Sequence, residues 1–216
     1  MVKKKSFKKI YSDYINGKVK LEKYQVIGIL LLVWVVAGVV GWVYEFFVAL
    51  IENGEMYMVG GNLLPWMNIY AIGAILIMVL VQVLKLWKRP WLVFLVSVVA
   101  TGLLEFVAGW LVYTIGNGTR YWDYNTEIWN FGNIGGFVCL RSVLMFAVSA
   151  LILVYLVVPF FVKLARVMSR RAFLILAISL FSIVMVDEIY NLLASKFFGW
   201  PDAMEFYRSM GWKYLT

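Results

Sequence analysis

Five ionisable side chains interrupt sequence that is otherwise apolar: Glu45, Glu105, Arg141, Asp187 and Glu188. A charge at the centre of a membrane span costs about 2.5–3.5 kcal/mol on insertion scales, so a group of them has to pair or line a wet cavity. Buried carboxylates can relay protons, perform acid–base chemistry without histidine, or hold a polar ligand. A second concentration of polar groups lies in the stretch Gly102–Asn133. There Arg120, Trp122 and Asp123 form a tight loop cluster, and Asn130 and Asn133 lead back into apolar sequence. Trp42, Trp66, Trp110, Trp122 and Tyr70 are the aromatic side chains placed to wall a pocket around these groups.

Such residues need elements that carry them through hydrocarbon. Of the 216 residues, 63% are hydrophobic and 15% charged, whereas a soluble domain is about 45–50% apolar and about 25% charged. Apolar runs at Tyr24–Ile51, Pro65–Leu86, Trp91–Ile115, Phe137–Val162 and Ala172–Ala194 approach or exceed the roughly 20 residues that cross a bilayer as helix. The prediction is an all-α fold, a polytopic transmembrane helical bundle of about five spans over residues 24–194. Gly60-Gly61-Asn62 with Pro65, and the Gly/Asn-rich stretch Asn130–Gly136, are the places for a re-entrant segment or an irregular helix start.

Two flanking segments differ. Residues 1–23 carry eight lysines interleaved with Phe7, Ile10, Tyr11, Tyr14 and Ile15 at helical spacing. That pattern fits an amphipathic helix on anionic lipid, or a solvated basic tail that fixes topology. Residues 195–216 form an aromatic-rich amphipathic tail broken at Trp200-Pro201.

The Lys-rich terminus, the Lys85–Arg89 turn and the Lys163–Arg171 turn alternate with acidic loops. The positive-inside bias then places the N-terminus in the cytoplasm and, with five spans, the C-terminus outside. Depth counted along the spans puts Glu45, Glu105, Arg141, Asp187 and Glu188 in one outer-half layer beneath the Arg120–Asp123 loop. The layer admits two readings. One is an ion-pair network, Glu45 and Glu105 with Arg141 or Arg120, that locks the packing. The other is a polar cavity open to the outside that binds substrate or relays protons, with Asp187 and Glu188 as proton or ion-pair candidates.

Composition removes several classes of function. Without any histidine, His-dependent catalysis and His-ligated zinc or haem are excluded, and the lone Cys139 forms neither an internal disulfide nor a thiolate metal cluster. No Gly-rich loop ends in Gly-Lys-Ser/Thr, so the chain does not itself bind ATP in that way. The net charge of +8 tracks the membrane-flanking turns, which assigns it to topology and not to nucleic acid.

Four blocks carry a family resemblance. They are Gly41-Trp42-Val43-Tyr44-Glu45; Pro65-Trp66-Met67-Asn68-Ile69-Tyr70-Ala71-Ile72-Gly73-Ala74; Glu105 with Trp110 after Thr101; and Trp122-Asp123-Tyr124 followed by Asn133-Ile134-Gly135-Gly136-Phe137-Val138-Cys139-Leu140. In order and spacing these resemble the ABC-transporter type IV permease family of small bacterial membrane proteins. Asn68 and Ala71 stand where the family pattern has Pro and Gly.

The resemblance implies a bacterial plasma-membrane permease subunit working with a separate ATPase subunit. It would present an outward-facing polar pocket to a small or amphipathic substrate. In that pocket Glu45, Glu105 and Asp123 supply negative charge and Arg120 and Arg141 pair with them or hold an anionic group. Trp42, Tyr70, Trp122, Asn130 and Asn133 complete it. Two rivals stand beside this reading: a membrane enzyme using paired carboxylates on a lipid-linked substrate, and a structural or regulatory subunit. No metal or cofactor is expected. The expected partners are membrane lipids, including anionic lipid at the N-terminus, the ATPase subunit and a second copy of the chain.

Overall fold

The computed structural model describes residues 7–193 and 197–214. In chain order the helices are α1 (Phe7–Ile15), α2 (Lys23–Asn53), α3 (Asn68–Val83), α4 (Pro90–Ile115), α5 (Leu140–Ile152), α6 (Val158–Val167), α7 (Arg170–Leu193) and α8 (Ala203–Ser209). A π-helical turn, Leu153–Val157, joins α5 to α6, so Leu140–Val167 is one continuous rod. The turn precedes Pro159, which lacks an N–H and would crowd the carbonyl four residues back. Val158 N–H reaches Leu153 O across the widened turn. Among the described residues four helices are long and apolar enough to cross a membrane, namely α2, α4, the α5–α6 rod and α7, and α3 is a shorter apolar helix of 16 residues.

The ends of the helices separate by charge. At one end Arg170 lies 5.1 Å over the Tyr24 ring, Arg166 donates to Lys20 O, and Gln25 Nε2 donates to Ala165 O at 2.9 Å. Gln25 has two jobs there. Its Oε1 accepts from Glu22 N–H to cap α2, while its amide satisfies a terminal carbonyl of α6. Helix α1 docks at this basic end through Ile10, which is 1% exposed in a core shared with Phe161, Ala165 and Phe173. At the opposite end lie the acidic loops. Of the chain's twelve acids, Asp13 and Glu22 alone fall in the basic-end segments.

The short α3 decides how the acidic end is built. Met67 N–H donates to Gly38 O at 3.1 Å, so α3 begins beside Gly38 and not beside the end of α2 at Asn53. At 1.5 Å per residue that offset is about 22 Å. The stretch between the two helices therefore descends along α2 as irregular chain before turning helical. Gly60-Gly61-Asn62 and Pro65 mark an irregular helix start, one of the two alternatives that their composition allows. Two glycines of α2 make room for it. A Cβ on Gly38 would strike the Trp66 indole, and one on Gly41 the Tyr70 ring. The facing surface of α2 is thus a groove for aromatic side chains.

Helix α4 sits on the periphery. Its buried positions are Val93, Ser97, Thr101, Glu105 and Gly109, a single stripe at four-residue spacing that faces α5. Ser97 and Thr101 hydroxyls donate back to Val93 O and Ser97 O at 2.7 Å, so both are satisfied within the helix. Helix α7 packs on the other side of α2, where Phe173 fills the space over Gly28.

Candidate functional site

Two glutamates in long apolar helices are held in different ways. Glu45, one turn beyond Gly41 on α2, accepts a hydrogen bond from the Tyr70 hydroxyl in the first turn of α3. Tyr70 is buried and its ring stacks on Phe146 of α5 at 4.9 Å. This places Glu45 beside the positive end of the α3 dipole. The carboxylate is half-buried, and among the described residues its second oxygen has no hydrogen-bond partner and no cation pairs with it.

Glu105 is closed off. It is 4% exposed and takes Tyr124 OH at 2.8 Å on Oε1 and Ser142 Oγ at 2.6 Å on Oε2. These bonds join α4, the loop between α4 and α5, and the start of α5. Burial, with the Glu105 and Glu45 carboxylates next, pushes the Tyr124 hydroxyl far up, which keeps it a neutral donor.

Arg141 forms an ion pair with neither glutamate, although its charge acts on Glu45. It bonds Glu127 from the loop and pairs with Glu52 of α2 at 3.5 Å, lying 5.6 Å from the Tyr124 ring. Glu52 also accepts from Ile128 N–H at 2.8 Å, so the pair ties the loop to the end of α2. Burial raises the Glu127 carboxyl, with the Arg141 guanidinium pulling the other way.

The loop, residues 116–139, is bonded mainly to itself. Arg120 donates to Gly135 O at 3.0 Å and covers the Tyr113 and Phe137 rings at 4.8 and 4.6 Å. Asp123 accepts from Asn125 N–H and Nδ2, and Asn133 bridges Asn125 Oδ1 to Gly136 N–H. Asn130 Nδ2 donates to Tyr124 O, and Trp122 Nε1 to Phe137 O. Gly136, at φ 80°, is needed at its position: a side chain there would land among Arg120, Asp123 and Asn125.

Asp187 and Glu188 of α7 serve the irregular start of α3. Asp187 accepts from Leu63 N–H at 3.1 Å and Leu64 N–H at 2.8 Å, and Glu188 from Asn62 and Asn68 side-chain amides at 2.9 and 3.1 Å. Non-helical backbone this far down a bundle needs such partners. The segment after α7 then covers the outer part of the same stretch. Tyr207 OH donates to Leu63 O at 2.6 Å, Tyr214 OH to Gly60 O, and Lys213 pairs with Glu55.

A family model described as "Putative ABC-transporter type IV" matches residues 11–192. The chain belongs to that family. Comparison with curated proteins and with solved structures found no match. The matched region takes in α2 to α6 whole, all but the last residue of α7 and the second half of α1, and leaves out α8. Within it, the Pro65–Ala74 block is the irregular start and first turns of α3. The Gly41–Glu45 block is the surface of α2 that receives it, and the Trp122–Leu140 block is the cap over Glu105.

The structure brings together Glu45, Tyr70 and, through the same end of the bundle, Glu105, Arg141 and the loop. The five helix-borne charges share that end but belong to separate sets: Glu45 with Tyr70, Glu105 with Tyr124 and Ser142, Arg141 with Glu52 and Glu127, and Asp187 and Glu188 with the α3 start. The acid partners of Arg141 are Glu52 and Glu127, where the ion-pair reading had Glu45 and Glu105. Trp42 stacks on Phe46 and donates to Val59 O at 2.9 Å, Trp66 is sealed against Gly38, and Trp110 is half-exposed on the outer face of α4. These three do not converge on one space. Sequence reasoning passed over Glu52, Glu127, Tyr124 and Ser142. Glu52 had a signal, since it stands seven residues from Glu45 on the same face of α2.

Proposed function

We propose that this chain is the membrane-spanning permease subunit of an ABC-type transporter. In this reading it lies in a bacterial plasma membrane with its basic end in the cytoplasm, and its outer half receives a small or amphipathic substrate. The orientation rests on the segregation of Lys and Arg at one end. The observation that carries the reading is Glu45: a carboxylate on a long apolar helix, with one oxygen unbonded and no cationic partner among the described residues. A purely structural carboxylate at that depth would be saturated, as Glu105 is. Arg141, Glu52 and Glu127 fix the loop above it, and Asp187 and Glu188 hold the α3 start that presents Tyr70.

A transporter of this kind needs a separate ATPase subunit docked at the cytoplasmic face. The basic-end turns between α3 and α4 and between α6 and α7 are short, so docked α1 enlarges the surface offered to that subunit. The enzyme reading needs two carboxylates on one opening, and its proposed pair has other duties: Glu105 is sealed and Asp123 is bonded to Asn125.

The test is complementation. In a bacterial strain lacking the chain, Glu45→Gln is expected to accumulate in the membrane at the normal level and fail to restore uptake or fitness. Full function with normal accumulation would overturn the role of Glu45.

A further inference from the structure

Below Glu45 the bundle has an open seam. Helices α2 and α5 diverge, and α3 lies behind them as the floor of an apolar groove of about 100 Å³. Ala37 and Gly41 line one wall, Gly73 and Ala74 the floor, and Met145 and Ser149 the other wall. The small residues on α2 and α3 are what keep the space open. Val40, Val148 and Ile152, on the lips or beside them, are each at least half exposed, so the seam faces the side of the bundle that meets lipid.

The groove is too small for another helix, whose diameter with side chains is about 10–12 Å. Its polar end is defined by Tyr70, which lines it, and by Glu45, which Tyr70 holds one turn above Gly41. Charge at that end is one-sided. Glu45, Glu52, Glu105 and Glu127 outnumber Arg141, which forms ion pairs with Glu52 and Glu127, acts on Glu45 from beyond ion-pair distance and keeps its Nε and Nη1 without hydrogen-bond partners. Among the described residues the second oxygen of Glu45 accepts no hydrogen bond, and it lies one turn beyond the Gly41 wall of the groove.

Resting on the transporter reading above, we propose that the substrate class is a single-chain amphiphile with a primary ammonium head. Its chain lies in the α2–α3–α5 seam and its ammonium bonds the open oxygen of Glu45. An ammonium adds positive charge where carboxylates outnumber cations and has N–H donors for the carboxylate. A fatty acid would bring like charge to the acidic end, a fatty alcohol no charge at all, and a trimethylammonium head no donor.

The probe is hexadecylamine carrying a mid-chain diazirine, photolysed with the purified full chain in lipid nanodiscs, the labelled residues being mapped by mass spectrometry. The expected result is labelling on the α2 and α5 walls of the seam, competed by hexadecylamine and not by hexadecanoic acid, hexadecanol or hexadecyltrimethylammonium. Glu45→Gln is expected to reduce seam labelling about tenfold, one ion pair's worth of affinity. Ala37→Phe, which fills the groove without touching its polar end, is expected to abolish it. Both variants are first checked for wild-type thermal stability; if Ala37→Phe is unstable, Met145→Trp replaces it as the groove-filling test, and if Glu45→Gln is unstable, the competition pattern on the wild-type chain decides. Equal competition by the acid or the alcohol, or unchanged labelling in Glu45→Gln, would overturn the proposal. If labelling fails while Glu45→Gln still abolishes uptake, the substrate class is wrong and the transporter reading stands. If labelling follows the pattern above while Glu45→Gln supports full uptake, the amine site stands and the transporter reading falls.

Discussion

Glu45 and Glu105 invite a direct comparison. Each sits on a long apolar helix, each follows a small residue at four-residue spacing on its own face, and each accepts a hydrogen bond from a tyrosine hydroxyl. They differ in what completes the shell. Ser142 and the loop close over Glu105, which leaves it 4% exposed, whereas Glu45 is half-buried and its partner Tyr70 lines an apolar seam. The difference separates a carboxylate that holds a fold together from one that is available to something else. Identical chemistry on similar helix faces is therefore no guide to role until the neighbours are known.

The strongest way to sharpen this contrast is Glu105→Ala. It would strand the buried Tyr124 hydroxyl, leave Ser142 only Cys139 O as acceptor and open a void, a loss of about 3 kcal/mol or more. Thermal unfolding in detergent should show a large fall in Tm, whereas Glu45→Ala should cost about 1 kcal/mol while abolishing uptake. Equal destabilisation by the two would erase the distinction. Next in size is Gly41→Ala, whose new methyl meets the Tyr70 ring. Overpacking of this kind costs about 1–3 kcal/mol, and because it displaces the donor to Glu45 it should impair uptake as well as stability. Asp187→Asn comes third. It weakens the bonds to Leu63 and Leu64 N–H, so a loss of about 1–2 kcal/mol is expected. Transport should be retained in membranes where the protein folds.

The smallest effect concerns the latch between Glu55 and Lys213. Hydrogen bonds from Lys213 and Tyr57 hold the exposed Glu55 carboxyl below its usual range. A carboxyl depressed in the folded state contributes stability above the unfolded value near 4.3 and loses it as pH falls through the folded value. Limited proteolysis should therefore cut the segment after α7 faster at pH 3 than at pH 7, with Glu55→Gln removing most of the difference.

How much of this was legible in the sequence depends on which property is asked about. Hydropathy reports depth, so the helical bundle and the common end of Glu45, Glu105 and Arg141 could be read directly. The irregular start of α3 was also visible, as Gly60-Gly61-Asn62 and Pro65 ahead of apolar periodicity. Hydropathy says little about which way a residue faces around a helix. Trp110 looks like a pocket wall by depth and spacing, yet it lies half-exposed on the outer face of α4. Nor does it reveal how a loop folds back. The pairing of Tyr124 with Glu105, and of Arg141 with Glu127 and Glu52, depends on the turn that Gly136 and Asn133 impose. Asp187 and Glu188 matched the same depth as Glu45, but the unbonded backbone of Leu63 and Leu64 was a nearer claim on them.

The contrast between the two glutamates rests on access, and access can be measured chemically. A hydrophobic carbodiimide applied to the wild-type chain in nanodiscs modifies carboxyl groups that it can reach from the lipid side. Peptide mapping should find Glu45 modified and Glu105 protected, with the seam-filling variant Ala37→Phe slowing the reaction at Glu45. Modification of Glu105 at a rate equal to Glu45, or full protection of Glu45, would contradict the account.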